Sequence, residues 1–142
     1  MNEAPILLID SDEDDQAMFI KALAELKSPH PPLFFDEGEA ALEYITSSET
    51  VPFLILSDVS LLKMSGLEMR REIEKSPALR KKSIPFIFIT HPVDERTVEH
   101  AYEFTIQGLF EKKATYAEWV SQLGAILSYW SACYHPKQFQ KT

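Results

Sequence analysis

Five short apolar runs, each followed by a stretch with helical spacing, constrain this chain more than any other feature. The runs cover residues 5–9, 33–35, 52–57, 85–89 and 108–111. Runs this short and this apolar read as strands buried on both faces. The intervening stretches predict helices over 12–27, 38–46, 66–74 with an extension towards 80, 94–103 and 115–134. Phe19, Leu23 and Leu26 would face inward from the first helix, and Ala41, Leu42 and Ile45 from the second. Ser28-Pro29-His30-Pro31-Pro32 stops the first helix, because proline lacks an amide hydrogen and clashes with the preceding turn. Asp94 is placed to cap the fourth. Five such units predict an α/β fold, a doubly wound five-stranded parallel sheet with five helices on its two faces and right-handed crossovers.

A chain of 142 residues suits one domain, expected over 1–134, with a polar tail over 135–142. No apolar run approaches the roughly 20 residues needed to span a bilayer, and no signal peptide is visible. The single cysteine, Cys133, cannot close an internal disulfide, which fits a cytoplasmic location. A net charge of −8 and the absence of a basic recognition helix argue against direct nucleic-acid binding.

The polar residues that end the runs carry the chemistry. Asp10, Ser11 and Asp12 follow the first, Asp58 ends the third, Thr90 ends the fourth and Lys112 ends the fifth. In a parallel sheet all of these lie on one rim, where open α/β folds place their sites. Taken singly, each has a plain structural reading. Glu13, Asp14 and Asp15 read best as a solvated helix start, where negative charge suits the macrodipole.

The ordered set Ile6-Leu7-Leu8-Ile9-Asp10-Ser11-Asp12-Glu13-Asp14-Asp15, Leu54-Ile55-Leu56-Ser57-Asp58 with Lys63-Met64-Ser65-Gly66-Leu67-Glu68, Ile87-Phe88-Ile89-Thr90 and Gly108-Leu109-Phe110-Glu111-Lys112 resembles the receiver domain of two-component response regulators. The resemblance implies a flavodoxin-like strand order, 2-1-3-4-5. It implies a receiver that catalyses its own phosphorylation, taking a phosphoryl group from a sensor histidine kinase or phosphotransfer protein onto Asp58, with Mg²⁺ bound and no separate substrate turned over. By position, Asp10 and Ser11 stand where an acidic pair holds the metal, with Asp58 and the backbone carbonyl of Ser60 as further ligands. Thr90 matches the switch hydroxyl and Lys112 the phosphate-pairing lysine. With no output domain in the sequence, the chain is similar to stand-alone regulators of the type that serves bacterial phytochromes. The residue types suit phosphoryl transfer. A carboxylate can form an acyl phosphate, Mg²⁺ prefers oxygen ligands, and an ammonium and a hydroxyl compensate charge on the transferring group.

Several positions depart from the family pattern. Ser11 replaces the second acid, which weakens the metal site unless a neighbour such as Asp12 compensates. Leu62 replaces a common proline. His91 puts an imidazole beside the pocket and is expected to restrict attacking water. Leu109 replaces an aromatic residue. Two other readings stand beside the first. One is a degenerate receiver acting as a constitutive interaction domain. The other is a haloacid-dehalogenase-like phosphatase with Asp10 as nucleophile and Asp12 as general acid, although no acidic pair follows Lys112 and Asp58 would have no role. Output is expected through protein contacts with an unidentified downstream partner. The resemblance implies that the face formed by the fourth helix, fifth strand and last helix would carry them, with Leu109, Trp119 and Trp130 lining a partner or homodimer surface; plain packing against the sheet is the equal alternative for the aromatics of the last helix.

Overall fold

The computed structural model describes residues 3–135. Among them, five strands are present: β1 (Ile6–Ile9), β2 (Pro32–Phe35), β3 (Leu54–Ser57), β4 (Phe86–Thr90) and β5 (Gly108–Glu111). They alternate with α1 (Glu13–Glu25), α2 (Gly38–Ser47), α3 (Gly66–Lys75), α4 (Pro77–Lys82), α5 (Glu95–Tyr102) and α6 (Tyr116–Ala132). Every strand pair is parallel and the order is β2-β1-β3-β4-β5, the flavodoxin-like order expected. The sequence predicts five helices and the described residues hold six, because the stretch after Gly66 is split at Ser76. The Ser76 amide donates back to Ile73 while its hydroxyl accepts from the Leu79 amide, so one residue ends α3 and caps α4. Pro77 has no amide to continue the first ladder and sits where a helix tolerates it, in the first turn.

Alternation along each strand builds two cores. Ile6, Leu8, Leu54, Leu56, Ile87 and Ile89 face α1 and α6, meeting Phe19, Leu23, Leu123 and Ile126. Leu7, Ile9, Ile55, Phe86 and Phe88 face the other way, against Ala41 and Ile45 of α2, Met69 and Ile73 of α3, Leu79 of α4 and Ala101 of α5. A central strand buried on both faces has no polar alternation, which is why β1 and β3 read as unbroken apolar runs.

The last helix requires a correction. The aromatic content of this helix suggests Trp119 for a partner surface. It is instead 4% exposed, packs edge-on to Phe19 at 4.9 Å between ring centroids, and donates its indole hydrogen to the Lys113 carbonyl. Trp119, Leu123 and Ile126 form the inward stripe of α6. The exposed aromatic of this helix is Tyr129, at 63%. Trp130 is half-buried against the α1–α6 core and stacks edge-on with Tyr129. Leu109 is half-buried against the opposite core. His135, assigned by the sequence to the tail, is buried beside Phe53, whose other neighbour is His30 at 3.8 Å between ring centroids. The remainder of the expected tail, 136–142, lies outside the described residues.

Candidate functional site

The chain leaves β1 for α1 on one face of the sheet and leaves β3, its neighbour, for α3 on the other. A crevice therefore opens at the carboxyl ends of these two strands. Asp10 follows β1 and Asp58 follows β3. Thr90 closes β4 and Lys112 follows β5. Pairing continues past the strand ends: the Asp58 amide donates to the Ile9 carbonyl at 2.9 Å, and the Lys112 amide to the Thr90 carbonyl at 2.7 Å. The backbone at all four positions is fixed before any side chain is placed. Gly66 brings the start of α3 against the loop after Asp58, with its amide donating to the Val59 carbonyl at 2.8 Å. A Cβ at Gly66 would overlap the Asp58 carbonyl oxygen and come within 2.9 Å of Phe88.

All four side chains converge. The Lys112 ammonium donates to Asp58 Oδ2 at 2.6 Å and pairs with Asp10 Oδ2 at 2.9 Å. Asp58 Oδ1 accepts from the Thr90 hydroxyl and the Ser60 amide, both at 3.0 Å. Asp10 Oδ1 accepts from the Asp12 amide at 2.9 Å. The cluster is nearly closed from solvent, with Asp10 at 3%, Asp58 at 6%, Thr90 at 2% and Lys112 at 8% exposure. Burial pushes the Asp10 carboxyl above its ordinary range, against the pull of Lys112 and the Asp12 amide, while the negative charge of Asp58 adds to the rise. Burial alone would lower the Lys112 ammonium. Its bonds to Asp15, Asp58 and Asp10 outweigh that and hold it well above the ordinary lysine range.

Asp15 is the residue that sequence reasoning misses, because it reads as part of a solvated helix start. Its Oδ2 instead accepts from the Lys112 ammonium at 2.6 Å, with the side chain 14% exposed. Ser11 and Ser60 lie exposed at the mouth. Asp12 caps α1, its Oδ1 accepting from the amides of Asp14 and Asp15. At the outer edge, one ligand atom each from Asp12, Asp15 and His91 lie within 4.8 Å of one another. The pocket's own donors are carboxylates, hydroxyls and backbone carbonyls, an oxygen set that suits a hard divalent ion such as Mg²⁺.

A family model described as response regulator receiver domain matches residues 6–123. The response regulator Rcp1 of Synechocystis sp. is 25% identical over 130 residues, covering 88% of this chain and 87% of that protein. The crystal structure of the phosphorylated cyanobacterial phytochrome response regulator RcpA superposes with a TM-score of 0.83 at 25% identity, covering 94% of this chain and 99% of that one. The Mn²⁺-bound form of Rcp1 gives a TM-score of 0.81 at 25% identity, with the same coverage.

Proposed function

The chain belongs to the response regulator receiver family, and from that premise we propose that Asp58 is its phosphoacceptor, loaded from a histidine kinase or phosphotransfer protein. The observation that carries this reading is the opposed pair of contacts on one carboxylate, the Lys112 ammonium on Oδ2 and the Thr90 hydroxyl on Oδ1. In the step, the donor's N–P bond breaks, an O–P bond forms to Asp58, and the donor imidazole keeps the bonding electron pair and takes up a proton. Lys112 and Thr90 are positioned to pass their hydrogen bonds from the carboxylate to phosphoryl oxygens. Asp10, Asp58 and the Ser60 carbonyl would hold Mg²⁺, with Ser11 as a neutral neighbour. When bound, the ion supplies compensation for the charge on the transferring group.

The change of partners biases a two-state equilibrium, because Thr90 and Lys112 make contacts in the phosphorylated state that they do not make before it. The output is protein contact at the α5–β5–α6 side, where Leu109 and Trp130 are half-buried and Tyr129 is exposed. Binding of Asp12 by two backbone amides supports this reading over a hydrolase with Asp12 as general acid.

Incubation with acetyl phosphate and Mg²⁺, followed by intact mass, tests the assignment. One phosphoryl adduct is expected on the native chain and none on Asp58→Asn. An adduct that survives Asp58→Asn but not Asp10→Asn would replace this reading with the hydrolase. In the same assay the adduct is expected to decay faster in His91→Ala, since the imidazole limits access of water.

A further inference from the structure

We propose that Asp15 does the electrostatic work of the acid missing at position 11, an inference that rests on the receiver reading above. Three carboxylates, Asp10, Asp15 and Asp58, surround one ammonium at 2.9, 2.6 and 2.6 Å. Their formal charges sum to −2, three negative against one positive, which matches a divalent cation. Without Asp15 the sum is −1, and the ammonium is left with only the two carboxylates that a cation needs as its partners. Ser11 adds no charge. Asp12 makes no ion pair with Lys112 among the described residues, and its Oδ1 is engaged at the α1 N-terminus.

Asp15 comes from a different element than Asp10 and Asp58, so it draws the ammonium towards α1 rather than along the sheet rim. The Asp12 cap anchors the first turn of α1 by bonding the Asp15 amide itself at 3.2 Å. Asp15 is thus a positioning residue: it touches Lys112 and competes with Asp10 and Asp58 for the ammonium. An acid in the first turn of the helix replaces an acid in the loop before it.

Calorimetric titration with Mg²⁺ tests this on the full chain and its variants, with thermal melting run alongside. Asp15→Asn is expected to weaken Mg²⁺ binding about tenfold, the scale of one unit charge acting across a partly screened pocket. Asp15→Glu is expected to keep most of the affinity. The double variant Asp15→Asn with Ser11→Asp is expected to return to within about twofold of the native chain, a rescue that a packing role for Asp15 would not give. Unchanged affinity in Asp15→Asn, or a folded double variant that shows no rescue, overturns the proposal. So does a loss in His91→Ala equal to that in Asp15→Asn, because the ion would then sit in the outer Asp12–Asp15–His91 group. If Asp15→Asn does not fold, Ser11→Asp alone decides: tighter Mg²⁺ binding supports the charge argument and unchanged binding overturns it. A native chain that neither binds Mg²⁺ nor takes a phosphoryl group removes the receiver reading as well. A native chain that does both while Asp15→Asn matches it removes only this inference.

Discussion

Lys112 is the single cation among three acids that would otherwise repel one another in a pocket nearly closed to water. Removing an acid from such a cluster relieves repulsion and desolvation together, whereas removing the ammonium leaves buried charge unpaired. Asp10 is the acid whose ionised form the fold disfavours, since burial raises its carboxyl above the ordinary value of 3.8. A raised group adds stability below its unfolded value and loses it as pH rises through the folded one. Asp10→Asn should therefore match the native chain at acid pH and exceed it at pH 7. The gain is expected as a higher melting temperature of Asp10→Asn at pH 7 than of the native chain. Melting curves from pH 4 to 8 check it, and a constant offset across that range would place the effect elsewhere. Lys112, also raised, keeps its contribution across neutral pH and loses it only in strong alkali. At this scale the sequence exposes Asp10, Asp58, Thr90 and Lys112 because each closes or follows an apolar run. Asp15 is hidden by its acidic neighbours, yet a signal is there. It lies four residues before Phe19 and eight before Leu23, on the inward stripe of α1, where an acid needs a cation.

Elements are legible where burial is uniform and less so where backbone chemistry decides. All five strands follow from apolar runs; β1, β3 and β4 are central strands with no solvent face to confuse the pattern, and the edge strands β2 and β5 stay apolar although only half-buried. The break between α3 and α4 turns on a single proline in a sequence that remains helical on either side. Trp119 is misplaced by sequence for a different reason: a helix rich in aromatics offers several stripes, and only packing against Phe19 selects one. Gly66 is the position where an element and the site meet. Its lack of a side chain lets α3 start against the carbonyl of Asp58, and the Ser65 hydroxyl caps the same turn by accepting from Glu68 at 3.1 Å. Gly66→Ala should cost about 1–3 kcal/mol in urea unfolding, the usual cost of overpacking. Because the obstructing atom is the backbone of Asp58 itself, phosphorylation by acetyl phosphate should slow along with the loss of stability. Full stability in Gly66→Ala would mean that the close approach is not required.

Across the whole molecule the site is lopsided. β1, β3, β4 and β5 each end in or lead to a site residue, while β2, at the far edge, contributes none. The two donors proposed to change partners on phosphorylation, Thr90 and Lys112, stand together on the opposite side, bridged by the bond from the Lys112 amide to the Thr90 carbonyl. A displacement of either donor is therefore shared with the other and delivered to the segments that follow them, the loop entering α5 and the loop entering α6. Leu109 offers no large ring to swing into a vacated space, and Phe110 already packs against the α1–α6 core. The response should accordingly be a local tightening of these loops. Hydrogen exchange measured with and without Mg²⁺ and beryllofluoride, a phosphoryl mimic, should slow over residues 90–95 and 111–116. It should remain unchanged over 32–47, which carries β2 and α2. Protection spread evenly over both edges of the sheet would show that the ligand stabilises the fold as a whole, and that no directional switch runs from Asp58 to the α5–β5–α6 side.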